Sequence, residues 1–175
     1  MAVTTALIRP AAVADAGILA DLGARTFRET FAAICSAADL EAYVAGAYGE
    51  AIQAAELADP DRPGLVLEVD GLPAGFVQMR FGHREPCVPG LRPAELQRIY
   101  VLRAHHHGGR GTALMEAGTG LARAWGADVL WLGVWEHNDP ALAFYARHGF
   151  REVGEHAFRI GEQVDRDLIL AKALP

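Results

Sequence analysis

Residues 95–115 read ELQRIYVLRAHHHGGRGTALM and decide the fold. The apolar run over residues 96–101 predicts a strand, and three glycines among residues 108–111 predict a turn that leads directly into a helix over residues 109–125. Small residues let backbone N–H groups converge on one point, and the helix dipole adds positive potential there. The pattern therefore predicts an anion site at the start of this helix, with a phosphate-bearing ligand.

The spacing of the glycines excludes two common phosphate-binding loops. A dinucleotide fingerprint requires a third glycine three residues after the second, whereas Gly109 and Gly111 are followed by Thr112 and the apolar pair Ala113-Leu114. A P-loop requires Gly-Lys-Ser/Thr, and this turn has no lysine. On this segment alone, a glycine-rich turn that only starts a helix is an equally good interpretation.

The run His105-His106-His107 raises the question of a metal site. Adjacent residues in a turn point in different directions, and no acidic or thiol ligand is near in sequence. We therefore predict no metal, and histidines that are solvated or face a phosphate.

The composition bounds the kind of protein. The chain has 175 residues, 51% apolar and 22% charged, which predicts one soluble domain over residues 1–175. No apolar run is long enough for a membrane span, and the two cysteines fit reduced thiols in the cytoplasm. The net charge of −6 disfavours nucleic acid and suits a cationic substrate.

Outward from the opening stretch, helical and extended patterns alternate, and the chain ends in extended segments. The predicted elements are a strand over residues 4–8 stopped by Pro10, helices over 13–31, from 36 and over 50–57, a hairpin of 65–69 and 74–79, a surface loop over 83–93, a buried strand over 129–135, a short helix from 139 to 149, and two or three strands over 150–170.

A second informative stretch, WLGVWEHNDPALAFYARHGF, covers residues 131–150. A buried strand is followed by Asn138 in its exit loop and by a helix that carries Tyr145. Asp139-Pro140 is typical of a helix start, and Gly149 of its end. Two separate patterns thus occur in order, with a helix between them.

Together these patterns resemble the GNAT N-acetyltransferase superfamily. Residues 106–111 are similar to its coenzyme A loop, Gln/Arg-x-x-Gly-x-Gly/Ala, with His106 in place of Gln or Arg. Residues 141–150 match its Ala-x-x-Phe-Tyr-x-x-x-Gly-Phe pattern. Residues 26–31, 131–138 and 161–172 look like the bacterial PaiA-type spermidine/spermine N-acetyltransferases.

The resemblance implies an α/β GNAT (acyl-CoA N-acyltransferase) fold, with a mixed central sheet of six to seven strands and helices on both faces. It implies acetyl-CoA as cosubstrate, contacted by Ile99, Tyr100, Val101, His106, His107, Gly108, Gly109, Arg110, Gly111, Thr112, Asn138 and Tyr145. Of three arginines that could meet its phosphates, Arg103, Arg110 and Arg147, only Arg110 stands out by position.

Acetyl transfer to an amine needs a base, an oxyanion donor and an acid for the leaving thiolate. The resemblance points to the backbone N–H of Tyr100 or Val101 as donor and to Tyr145 as acid. Glu95 is our first choice as base and Glu136 the second, while two ordinary solvated carboxylates and a water chain are an almost equal alternative. Glu29, Phe31 and Glu136 are expected at the substrate.

The expected acceptor is a polyamine or a similar small cationic amine. A protein N-terminus, a lysine or an amino sugar is the alternative acceptor, and a module that binds acetyl-CoA without turnover is the alternative function. The resemblance is also compatible with a homodimer.

Overall fold

The computed structural model describes residues 5–161 and 163–175, so residues 1–4 and Glu162 fall outside it, including Thr4 of the predicted first strand and one position of the tail. Two short 3₁₀ turns, Val13–Asp15 and Arg103–His105, precede α1 and α4. The strands and α-helices of the described residues are β1 Ala6–Pro10, α1 Ala16–Phe31, α2 Ala37–Tyr48, α3 Glu50–Ala58, β2 Gly64–Val69, β3 Leu72–Phe81, β4 Pro93–Val101, α4 Arg110–Trp125, β5 Val129–Trp135, α5 Asp139–Arg147, β6 Arg151–Ile160 and β7 Gln163–Ala173.

The strands form one seven-stranded sheet in the order β1-β2-β3-β4-β5-β7-β6. Among the strands of the described residues, only the β4–β5 pair is parallel, which confirms the predicted mixed sheet of six to seven strands. The first strand ends at Pro10, as predicted, and includes Pro10 as its last residue. Proline is tolerated there because β1 is an edge strand, where a missing N–H leaves no neighbour unpaired.

Helices cover both faces of the sheet, as predicted. On one face, α1 places Leu19 and Leu22 against Val66 and Phe76 of β2 and β3. On the other, α4 and α5 share a core with the inward side chains of the central strands, including Leu114 of α4. Among the described residues, no helix is both long and apolar enough to cross a lipid bilayer.

The α1–α2 contact is unusually close at one glycine. A Cβ on Gly23 of α1 would lie 2.4 Å from the ring of Tyr48, the last residue of α2. Tyr48 is buried, packs its ring at a tilt against Phe27 and shares a 2.7 Å hydrogen bond with the hydroxyl of Tyr100 on β4. The glycine therefore lets α2 reach the central strand, where Tyr100 sits.

The feature that positions the site is the short pairing of β4 with β5. The two strands pair only from Pro93–Val129 to Glu95–Trp131, and both then continue without a common ladder. Beyond Glu95, β4 remains paired with β3, and beyond Trp131, β5 remains paired with β7. A gap therefore opens in the middle of the sheet, at the carboxyl ends of two parallel strands.

We predict that Gly23→Ala destabilises the fold, because its Cβ overlaps a ring that cannot move away. The overlap should cost about 1–3 kcal/mol, more than the roughly 1 kcal/mol that alanine adds to helix propensity. Gly120→Ala in α4 is the matched control, since a Cβ there meets nothing within 4 Å and should be neutral or stabilising. Urea unfolding measures both; equal stability of the two variants would contradict the packing argument.

Candidate active site

A cleft of about 430 Å³ occupies the gap between the parted strands. It lies between the end of β4, the glycine turn before α4, the start of α5 and the last turns of α1. Its lining residues are Thr26, Glu29, Thr30, Ile99, Tyr100, Val101, Arg103, His106, Gly109, Gly111, Thr112, Asn138, Pro140, Ala141, Phe144, Tyr145 and Arg147. The cleft therefore joins the two sequence patterns that are separated by α4 and β5.

The glycine turn presents free backbone donors to this cleft. Gly108 and Gly109 have φ values of 77° and 73°, in the left-handed region that favours glycine. The N–H of Ala113 donates to the carbonyl of Gly109 as the first turn of α4 closes, which leaves the three preceding N–H groups of the helix without helical partners. Such a turn favours an anion.

The strand β4 contributes backbone donors on its open side. The N–H of Leu102 donates to the carbonyl of Ala74 on β3 at 2.9 Å. Hydrogen-bonded pairs alternate along an antiparallel ladder, so the N–H of Tyr100 is directed toward β3, and those of Ile99 and Val101 toward the gap. The sequence left Tyr100 and Val101 as alternative donors, and this register disagrees with Tyr100.

Tyr100 instead contributes its side chain, which reaches the opposite face and bonds to Tyr48. His106, which replaces the usual Gln or Arg, lines the cleft, and its Nε2 lies 2.8 Å from the carbonyl oxygen of Val101. This contact ties the turn to the end of β4.

The helix α5 supplies the third wall. The side chain of Asn138 caps it by accepting from the N–H of Ala141 at 3.3 Å, and Pro140 sits in its first turn. Tyr145 is buried among Phe144, Phe150 and the α4 core, yet it lines the cleft. Burial raises the pKa of its phenol, and nearby Tyr100 raises this pKa further. The phenol therefore stays protonated at neutral pH.

The side chain of Arg110, the arginine singled out for the phosphates, does not point into the cleft. Arg110 turns back and donates to the carbonyl of His107 at 2.8 Å, and neither residue lines the cleft. Arg103 and Arg147 line it instead. Arg103 is held by Glu29, whose carboxylate accepts from its N–H at 3.2 Å and whose carbonyl accepts from its guanidinium at 2.7 Å. Gly108 shapes the turn but does not line the cleft.

The structure does not bring Glu95 to the cleft. It lies where β4 and β5 still pair, about 20 Å along the strand from Val101 at the usual rise per residue. Its carboxylate accepts from Arg80 at 2.6 Å and lies 3.0 Å from His83 Nδ1. Because Arg80 and His83 already contact its carboxylate, Glu95 is poorly placed to act as the base that the sequence favoured.

Glu136, the second choice, also lies outside the cleft lining. It pairs with Arg166 at 2.7 Å, in a surface network that includes Glu155. Phe31, expected at the substrate, is buried at the end of α1 and packs against Trp135 and Phe158. It thus helps to cover the gap from the face opposite to α4.

Several lining residues were not predicted. Thr26 and Thr30 follow the helical spacing that also brings Glu29 to the cleft, and Pro140, Ala141 and Phe144 form one side of α5. A helical projection of these two segments from Glu29 and Tyr145 would have found them. No group of three or more His, Cys, Asp or Glu among residues 5–161 and 163–175 is arranged to hold a metal ion.

Comparisons of this chain with known proteins agree with this architecture. The model of the Acetyltransferase (GNAT) family matches residues 27–150. The chain belongs to the GNAT acetyltransferase family. An uncharacterized N-acetyltransferase of Lactobacillus delbrueckii is 34% identical over 85% of this chain and 86% of its own. Family and relatives together identify this chain as an acyltransferase enzyme.

Two solved structures share the fold at lower identity. The PaiA N-acetyltransferase of Thermoplasma acidophilum, in complex with coenzyme A, superposes with a TM-score of 0.78 at 21% identity, covering 97% of this chain and 99% of its own. The ribosomal-protein-S18-alanine N-acetyltransferase of Escherichia coli gives 0.69 at 19% identity, covering 97% and 94%. At these identities the likeness shows the GNAT fold alone.

We predict that Gly109→Ala weakens binding of coenzyme A about ten-fold or more, because the Cβ enters open space at the free N–H groups and strains the turn by about 1–2 kcal/mol. Gly149→Ala is the matched control, since it also has positive φ and open space around a Cβ. Isothermal calorimetry measures both affinities. An equal loss in both variants would mean that strain alone, and not the turn, explains the effect.

Proposed function

We propose that the protein transfers the acetyl group of acetyl-CoA to a primary amine of a polyamine or similar small cationic acceptor. The observation that carries the proposal is the convergence, in one cleft, of the glycine turn, the open edge of β4 and the protonated phenol of Tyr145. Each meets one requirement of the reaction. The GNAT family membership agrees with all three.

The residues of the cleft suit coenzyme A. The free N–H groups of Arg110, Gly111 and Thr112 would receive the pyrophosphate, with Arg103 and Arg147 near it. The pantetheine arm carries amides, which would pair with the backbone of Ile99 and Val101 as a missing strand would. Asn138 and Phe144 close the other side. Acetyl-CoA supplies the activated acyl group.

The chain's own groups account for the chemistry. The amine nitrogen forms a bond to the acetyl carbon while the carbon–sulfur bond breaks. The backbone N–H groups of Ile99 and Val101, which are directed into the gap, stabilise the negative charge on the carbonyl oxygen, an effect worth about 3 kcal/mol for one donor. Of these two donors, Val101 was expected from the sequence. Tyr145 gives its proton to the departing sulfur, and the proton that the nitrogen loses as the amide forms restores the phenol through solvent.

The acceptor class rests on charge and on a resemblance. The protein carries a net charge of −6, which suits a cationic substrate. The resemblance to PaiA-type enzymes adds to this. Glu29 also lines the cleft, and its carboxylate accepts a hydrogen bond from the backbone N–H of Arg103. Protein N-termini and amino sugars are the competing acceptors. That the protein forms a homodimer and lies in the cytoplasm stays a prediction.

An acceptor screen tests the proposal. Coenzyme A release is followed with a thiol reagent in the presence of spermidine, a lysine-containing peptide, a peptide with a free N-terminal alanine and glucosamine. We expect the highest kcat/KM for spermidine. Turnover of a peptide or sugar without turnover of spermidine would overturn the acceptor class, and binding of acetyl-CoA without any transfer would overturn the enzymatic proposal.

We predict that Tyr145→Phe lowers kcat at least about ten-fold, because the leaving sulfur loses its proton donor. The ring and its packing against Phe144 and Phe150 remain, so the affinity for acetyl-CoA should hold within about two-fold. Steady-state kinetics give kcat, and calorimetry gives the affinity. An unchanged kcat would show that another group protonates the sulfur.

A further inference from the structure

A polar cluster lies on the face of the sheet opposite to Tyr145, directly beside the gap. Gly133, in the middle of β5, is exposed, and a Cβ added to it would lie 3.7 Å from both Asp167 Oδ2 and His156 Nε2. The two residues face each other on β7 and β6. The absence of a side chain at Gly133 thus leaves open space in front of a carboxylate and an imidazole.

The cluster continues as a series of contacts toward solvent. His156 Nε2 lies 3.7 Å from Asp167 Oδ2, and its other ring nitrogen lies 3.4 Å from the carboxylate of Glu85. Asp167 is the inner member, with 15% of its side chain exposed, while His156 is 38% exposed. A carboxylate, an imidazole and a second carboxylate therefore connect the gap to the surface.

The inner end of the series carries unpartnered polar atoms. Asp167 Oδ1 is buried and has no hydrogen-bond partner among the described residues. The indole N–H of Trp135 is likewise buried and without a partner there. Trp135 and Asp167 are directly opposed on β5 and β7. A buried carboxylate oxygen without a donor carries the full cost of its desolvation, which a ligand N–H would relieve.

Strand alternation fixes the relation of this cluster to the thioester. Val134 shares the core of Tyr145, and the neighbouring positions of β5, Gly133 and Trp135, face α1 and α2. Burial raises the pKa of the Tyr43 and Tyr100 phenols, and the charge of Asp167 raises it further. A nitrogen held at Asp167 would approach the gap from the side opposite to the departing sulfur.

We propose that Asp167 binds the ammonium group of the acceptor, and that His156 and Glu85 carry its proton to solvent. This inference rests on the proposed function, whose base it supplies in place of Glu95. The ammonium donates to the free oxygen of Asp167 and loses one proton to the Asp167–His156 pair. The neutral nitrogen then bonds to the acetyl carbon as the carbon–sulfur bond breaks, and the sulfur leaves with the proton of Tyr145. The nitrogen loses its second proton as the amide forms, and this proton restores the phenol of Tyr145 through solvent, while the first proton departs through His156.

The titration of Asp167 agrees with this role. Burial raises its pKa to about 6, His156 opposes this shift and Asp165 adds to it. Glu85 lies behind His156, and the carboxylate also interacts electrostatically with Tyr43 of α2 and Tyr100 of β4, since its charge raises the pKa of both phenols beyond the effect of burial. The carboxylate is therefore charged at neutral pH, and it loses its charge, and with it the ammonium, as the pH falls through about 6.

The test compares Asp167→Asn with wild type, using spermidine as an acceptor that is cationic and aniline as one that is neutral at the assay pH. We expect KM for spermidine to rise at least about ten-fold, and kcat/KM for aniline to change less than about three-fold. Glu155→Gln is the matched control, because it removes one carboxylate next to His156 on the exposed side of β6. It should leave KM for spermidine and kcat/KM for aniline unchanged.

Stability provides a second readout. A buried acid with a raised pKa favours folding while it is protonated and loses this contribution as the pH rises through about 6. Asp167→Asn should therefore raise Tm at pH 8 by a few degrees, with a smaller gain at pH 5. If Asp167 had only a structural role, Asp167→Asn would instead lower Tm and reduce kcat/KM equally for spermidine and aniline.

Calorimetry separates failure of this inference from failure of the proposed function. Spermidine should bind the wild type and not Asp167→Asn, while both bind acetyl-CoA equally. If wild type binds no spermidine, or if Asp167→Asn keeps its KM, the ammonium site is wrong even where transfer occurs. Loss of acetyl-CoA binding and transfer in wild type would instead refute the proposed function. His156→Gln should keep spermidine affinity at pH 8 and shift the acidic limb of the kcat profile to higher pH, because His156 lowers the pKa of Asp167. An unchanged limb would exclude His156 from the proton path.

Discussion

The loss of pairing between β4 and β5 is the constraint on which the rest of the structure depends. Parallel strands in the middle of a sheet ordinarily satisfy each other's backbone groups, but here the ladder ends at Glu95 and Trp131. The strands cannot drift further apart because each keeps its outer partner, β3 or β7. The open edges leave backbone N–H groups of Ile99 and Val101 in need of a partner.

The gap is held open by aromatic side chains that arrive from both faces. Tyr145 and Phe144 of α5 lie on one side, and Tyr100, bonded to Tyr48 of α2, lies on the other. Close packing makes these contacts resistant to collapse. The glycine turn then adds a second set of free N–H groups at the mouth of the same cleft. Both sets of donors suit a ligand that combines phosphates with amides.

The sequence predicted the local elements and the residues that short patterns bring together. The glycine turn, Asn138 and Tyr145 could be found because each lies within a strand–loop–helix unit of contiguous sequence. Side-chain direction was less predictable: Arg110 points back to its own turn, while Arg103 and Arg147 line the cleft. Asp167 was missed, because its place depends on β7 inserting between β5 and β6, a sheet order that no local pattern encodes.

The two proton transfers of the proposed reaction have opposite requirements, and the sheet separates them. A proton donor to sulfur must stay protonated at neutral pH, and burial in the α4–α5 core raises the pKa of Tyr145 accordingly. A group that binds an ammonium must stay charged, and Asp167 does so because His156 and solvent limit the effect of its burial. If both groups shared one face, the carboxylate would compete with the sulfur for the phenol proton. Placing them on opposite faces of the gap lets the amine enter on one side and the thiol leave on the other.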